Sequence, residues 1–194
     1  MTKCHTHTRL IGLTGNIASG RSAVLTYLVQ CGAQTLSCDA LVRELYQKPC
    51  VRQQLQKWFS SAQPAEVAQQ VFASASARRK LERFLHPLVW ERVQQSLASC
   101  SKGWLVLEVP LLFETDWYTR MDLTVLVAGS QRTLAKRLRA RGLSKESYQS
   151  RLNAQMPQED KMKLADIILF NDSSKQALAA KTKRLYQALE TFYA

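Results

Sequence analysis

Short apolar runs alternate along the chain with stretches whose apolar positions recur every three to four residues. "LIGLTG" predicts a first strand over about residues 9–14, followed by a helix from Gly20 to about Gln30 that Gly32 ends. "AQTLSCD" predicts a short second strand. Residues 39–101 carry helical periodicity and few strand signals. "SSAQPAE" breaks that stretch, with Pro64 suited to the first turn of a new helix. "HPLVWERVQQSLASC" predicts a further helix with Pro87 near its start. Beyond it, "GWLVLEV" and "MDLTVLVA" read as apolar strands and "SQRTLAKRLRARG" as a basic helix. "SKESYQSRLNAQM" reads as another helix, capped by Ser144. "ADIILFN" reads as the last strand and "SKQALAAKTKRLYQALETFY" as the closing helix. Strands that are apolar throughout, alternating with helices, predict an α/β fold: a parallel sheet covered on both faces.

At 194 residues and 46% hydrophobic, the chain suits one ordinary domain with a substantial core. No run approaches the roughly 18 apolar residues of a membrane span, and "MTKCHTHTRL" lacks the apolar centre of a secretion signal. The five cysteines, Cys4, Cys31, Cys38, Cys50 and Cys100, form neither a C-x-x-C pair nor a disulfide framework. A reducing, cytoplasmic setting follows. The net charge of +12 calls for an anionic partner: nucleic acid, an anionic surface or a polyphosphate.

Between the first strand and first helix lies "GNIASGRS", close to the phosphate-gripping spelling G-x-x-x-x-G-K-S/T. Backbone N–H groups in such a turn form an anion nest, and the helix terminus adds partial positive charge. Ser22 supplies the hydroxyl that would meet Mg²⁺. Thr14 and Ser19 are small enough for the backbone to close in, and Asn16 stands where many such loops have glycine, asparagine tolerating positive φ. Arg21 stands in the lysine position. It keeps a permanent charge but exchanges a compact ammonium for a planar fork.

Other residues have two readings each. Asp39 falls at the end of the second strand, where a parallel sheet presents ligand groups, and it also suits a helix N-cap. Glu108 and Glu114 bracket "EVPLLFE"; one could hold a magnesium water, while surface solvation is the simpler reading. Arg137 and Arg141 share a helix face near Arg132 and Arg139, fit for a phosphate clamp or for plain solvation. "CHTHT" suits a free N-terminus better than a metal site.

In order, these fragments resemble the dephospho-CoA kinases, and the resemblance runs nearly end to end. "GLTGNIASGRS" is similar to the family's G-L-T-G-G-I-G-S-G-K-S, and "GAQTLSCDALVRELY" to its G-A-x-x-x-D-A-D-x-x-x-R. "VFASASARRKLERFLHPLV" resembles its V-F…L-E-x-x-x-H-P stretch, and "VPLLFE" its signature strand end. "RLRARGLSKESYQSRLNAQM" resembles its R-x-x-R…R-I-x-x-Q lid, and "ADIILFND" its A-D-x-V-I-x-N. The resemblance implies one three-layer P-loop kinase domain over 1–194. Its core is expected at about 8–38, 103–130 and 165–194, a helical acceptor-binding region at about 40–101 and a lid at about 137–157. It implies phosphorylation of the ribose 3′-hydroxyl of dephospho-coenzyme A by ATP with Mg²⁺. Gly15, Asn16, Ile17, Ala18, Ser19, Gly20, Arg21, Ser22 and Ala23 would hold the ATP phosphates, Ser22 also the Mg²⁺, and Asn171 would lie near the adenine. Asp39 would orient or deprotonate the acceptor hydroxyl, Arg141 would cover the transferring phosphoryl, and His86 and Arg83 would bind the acceptor. No nucleic acid or membrane partner is expected, and the chain is expected to be a monomer or weak homo-oligomer.

Four positions depart from the family spelling. Arg21 replaces lysine, Ser37 replaces the first aspartate of D-A-D, and Asn16 and Ala18 replace glycines. The D-G-x-I/L-D-R stretch is shortened to "SSAQPAEV", which leaves its arginine unmatched. The alternative is a catalytically impaired P-loop protein that binds nucleotide as a regulator or scaffold. A charge-driven nucleic-acid binder is disfavoured, because no recognition module or aromatic platform is visible.

Overall fold

The computed structural model describes residues 8–101, 103–140, 142 and 155–193. They fall into two compact units: one runs to Leu36 and resumes at Cys100, and the other spans Ser37–Ser99. The first holds the sheet. Its strands are β1 (Arg9–Thr14), β2 (Thr35–Ser37), β3 (Trp104–Glu108), β4 (Leu123–Ala128) and β5 (Ile167–Phe170), in the order β2-β3-β1-β4-β5. β1 runs parallel to β3 and β4, with Leu13 opposite Glu108 and Val125, and β4 runs parallel to β5.

Every residue of β3, and all of β1 after Arg9, is buried. That is the signature of a parallel sheet covered on both faces, and it is why these strands read as unbroken apolar runs. α1 (Arg21–Gln30) sets Val24 and Leu28 against Ile11, Leu13, Val106 and Val127. Leu178, Leu185 and Leu189 of the closing helix join the same cluster. The remaining helices of this unit are α6 (Gln131–Ala140), α7 (Gln158–Leu164) and α8 (Lys175–Tyr193). α7 is absent from the sequence expectation. Its buried residue is Lys161, so its burial leaves no apolar pattern to read.

The second unit is helical: α2 (Cys38–Leu45), α3 (Pro49–Phe59), α4 (Pro64–Ala73) and α5 (Ala75–Ala98). α3 and α4 both start on proline, where the missing N–H costs nothing. α5 packs against α2 and α4, burying Leu85, Val89 and Val93 at four-residue spacing. Pro87 lies inside α5, not near a helix start. The ring removes the N–H that the Arg83 carbonyl would accept, but the buried stripe on either side of it carries the helix through. Ser74 caps this helix, its hydroxyl accepting from the Ala77 N–H at 3.3 Å.

Candidate active site

The loop between β1 and α1 is a cradle whose shape glycine and buried polar contacts impose. A Cβ at Gly15 would strike the Val127 carbonyl and Ser19 Oγ, and one at Gly20 would strike Asn171 Nδ2. Gly20 caps α1 at φ 105°, and α1 has no acidic residue in its first turn. The Ser19 N–H donates to the Asn16 carbonyl at 3.0 Å, closing the turn. Among the described residues, the N–H groups of Ala18, Gly20 and Ser22 meet no protein acceptor. Open donors at a helix N-terminus are an anion site. Asn16 Oδ1 and Ser19 Oγ are buried without hydrogen-bond partners among the described residues. The loop's left-handed non-glycine position is Ala18, at φ 63°, rather than Asn16, so of the two positions where the family spelling has glycine the strain falls on Ala18.

The outside of the loop is clamped. The half-buried Arg137 of α6 donates to the Ala18 and Ser19 carbonyls at 3.4 and 3.2 Å. Its second terminal nitrogen donates to the Asn171 carbonyl at 2.9 Å and to Asn171 Oδ1 at 3.0 Å. Asn171 Nδ2 in turn donates to the Ser19 carbonyl at 2.7 Å. Asn171 is 4% exposed, so its side chain is committed to the loop and to Arg137. Solvation of Arg137, the plainer reading of its basic helix, does not hold.

Arg21 lies with its Nε 3.6 Å from Glu108 Oε1, both side chains largely buried. Glu114 Oε1 forms an ion pair with Lys161 Nζ at 2.8 Å and accepts from the Met156 N–H at 2.9 Å. Surface solvation therefore describes neither glutamate. Burial pushes the Lys161 ammonium below the usual lysine range, the Glu114 carboxylate opposes that, and the Arg21 charge adds to it. Gln155 reaches the loop directly, its Oε1 accepting from the Ile17 N–H at 3.1 Å. Ser22 is exposed; its carbonyl accepts from Thr26 Oγ1. The Ser22 hydroxyl and the Glu108 carboxylate are hard oxygen donors, the kind that Mg²⁺ prefers.

In the helical unit, Asp39 stands in the first turn of α2 and not at a strand end. Ser37 is the N-cap, so capping is not Asp39's task either. Its carboxylate is exposed, and its negative charge suits a helix N-terminus. Arg83 and His86 lie one turn apart on α5. Arg83 is exposed and lines a cavity of about 550 Å³ with Trp58, Ser76, Arg79, Lys80 and Phe84. Lys80 Nζ sits 4.5 Å from the Trp58 ring centre, and Trp58 meets Phe84 edge-on at 5.2 Å. Arg141, most of the expected lid and the N-terminal "CHTHT" apart from Thr8 lie outside the described residues. Among the described residues no cluster of three or more His, Cys, Asp or Glu could hold a metal, and no helix is long and apolar enough to cross a membrane.

Parallel sheet, glycine cradle and flanking helices define a P-loop kinase fold. A shikimate kinase from Bacteroides thetaiotaomicron shares that fold, with a TM-score of 0.57 at 16% identity over 94% of this chain and 98% of that one. The family model for dephospho-CoA kinase matches residues 9–177. The chain belongs to the dephospho-CoA kinase family. A dephospho-CoA kinase of Thermus thermophilus is 34% identical over 190 residues, covering 94% of this chain and 93% of that protein. A solved Thermus thermophilus structure superimposes with a TM-score of 0.85 at 33% identity, over 94% of this chain and 98% of that one.

Proposed function

We propose that this kinase transfers the γ-phosphoryl group of ATP to the ribose 3′-hydroxyl of dephospho-coenzyme A, giving coenzyme A and ADP. The observation that carries this reading is the loop itself: open N–H donors at a helix N-terminus, in a chain matched to the family model from residue 9 to 177. In this reading the open N–H groups of Ala18, Gly20 and Ser22 take the β-phosphate region of ATP, with Ala23 next along the helix. Arg21 adds a permanent cation whose charge Glu108 partly balances. Ser22 and Glu108 would hold Mg²⁺ directly or through water. Held there, the ion would supply charge neutralisation for the ATP phosphates.

Asp39 is assigned by its match to the second acid of the family's D-A-D. Its carboxylate takes the proton of the 3′-hydroxyl as that oxygen bonds to the γ-phosphorus, and the bond from phosphorus to the ADP oxygen breaks. Arg141 is assigned to the transferring phosphoryl by the lid match alone. Arg83 with Arg79 and Lys80 offers three cations to the diphosphate of the acceptor, and Trp58 offers an aromatic wall. His86 is assigned to the acceptor by its place in the H-P motif. Asn171 serves nucleotide binding through the Ser19 carbonyl that it holds. The test is direct: incubate purified protein with ATP, Mg²⁺ and dephospho-coenzyme A, then quantify coenzyme A and ADP. Equal accumulation of both products supports the reading. ATP hydrolysis without coenzyme A, or no turnover at all, overturns it.

A further inference from the structure

Lys161 is 0% exposed, yet it sits as the buried residue of a short, largely polar helix and plays no part in the mechanism above. Among the described residues its ion pair is to Glu114 Oε1 at 2.8 Å, an oxygen that also accepts the Met156 N–H. Glu114 Oε2 is buried without a hydrogen-bond partner, so the carboxylate has no competing anchor among the described residues. Met156 is covalently next to Gln155, and Gln155 Oε1 accepts the Ile17 N–H of the phosphate loop. Each link is short, and the series runs from α7 to the loop: Lys161, Glu114, the Met156 backbone, Gln155, Ile17.

The loop thus has two outside anchors of different kinds. Arg137 and Asn171 hold its carbonyls at Ala18 and Ser19. Gln155 holds its N–H at Ile17, on the opposite side of the strained Ala18. A buried ammonium paired with one carboxylate is a rigid point, because moving either partner leaves an uncompensated buried charge. A glutamine side chain anchored only by a mobile backbone would not be one.

We infer that the buried Lys161–Glu114 pair is a positioning device that sets Gln155 on the phosphate loop, so that loop geometry, and with it ATP use, depends on a residue far along the chain that acts only through its neighbours. The consequence for turnover rests on the kinase reading. The consequence for loop geometry does not, which lets the two fail separately.

Amide hydrogen exchange at Ile17, read in the ligand-free protein, tests the geometry. Gln155→Leu should speed exchange at Ile17 by about tenfold or more while the core strands keep their protection. Lys161→Met should reproduce that change with Gln155 intact, and Lys161→Arg, which keeps the charge, should restore most of it. If Lys161→Met does not fold, Glu114→Gln removes the same pair from the other side and should give the same pattern. In steady-state kinetics, Gln155→Leu should lower kcat/KM for ATP by about tenfold with the KM of the acceptor unchanged. Adding Lys161→Met to Gln155→Leu should then cost little more, because both act on one contact. Normal Ile17 exchange in folded Lys161→Met and Glu114→Gln, or fully additive kinetic losses, would overturn the inference.

Discussion

Two arginines that look alike in the sequence are used in opposite ways. Arg137, on the basic helix α6, spends both terminal nitrogens on protein oxygens: the carbonyls of Ala18, Ser19 and Asn171, and Asn171 Oδ1. Arg83, on α5, lies on an exposed face beside Arg79 and Lys80, around a cavity with an aromatic wall. The first is part of the scaffold that shapes a phosphate loop, and the second is presented outward. The difference follows from what each side chain faces. Loop carbonyls turned away from the anion need donors, and a guanidinium meets several at once in a fixed fork. The α5 cations instead stand exposed around a cavity. Changes in the loop's surroundings should therefore alter stability and ATP use together, whereas changes on the α5 face should alter acceptor affinity alone.

The largest expected effect lies inside the loop. Arg21→Ala should lower turnover about 10²–10³-fold, the size of losing one preorganised charge contact. Arg21→Lys should leave ATP affinity within about threefold and keep or raise turnover, since an ammonium follows the moving phosphoryl at least as well. Full activity in Arg21→Ala would mean that Glu108 holds the side chain away from the phosphates. Next comes Asp39→Asn, with a loss of at least about a hundredfold in turnover and an unchanged melting temperature. Near-normal turnover there would reduce Asp39 to a favourable charge at the start of α2.

The contrast between the two arginines sharpens the comparison at smaller magnitude. Arg137→Ala strips donors from buried loop carbonyls, so stability should drop by about 2–3 kcal/mol and the melting temperature by roughly 5–10 °C. ATP affinity should fall with it. Arg83→Ala should leave the melting curve in place and raise the acceptor KM by about tenfold with the KM for ATP constant. If the two variants behave alike, the division between scaffold and presented cation is wrong. The smallest effect is expected at Ala18, where φ 63° favours glycine. Ala18→Gly should relieve about 1 kcal/mol of backbone strain, offset in part by the freer unfolded chain. Calorimetry should show a melting temperature that is equal or slightly higher.

The sheet was legible in the sequence because its strands are covered on both faces. The expected first strand at 9–14 matches β1, and "GWLVLEV" and "MDLTVLVA" contain β3 and β4 with a residue or two to spare at the ends. The loop was legible because its glycines are steric requirements, as the Gly15 and Gly20 contacts show. Pro87 was misplaced because a local rule about proline lost to the packing of Leu85, Val89 and Val93. Asp39 was placed on a strand end because β2 is only three residues long and α2 begins at once. The buried partners of the site were not legible. Glu108 and Glu114 read as solvated charges because each pairs with a residue distant in sequence, and Lys161 went unnoticed because no spacing rule connects it to Glu114.

The central claim is that a phosphate loop with arginine in the lysine position still drives phosphoryl transfer to dephospho-coenzyme A. It is tested most directly by following both products from the unaltered protein with ATP, Mg²⁺ and dephospho-coenzyme A. The account predicts coenzyme A and ADP in equal amounts over many turnovers. Saturable ATP binding with no coenzyme A formed would contradict it.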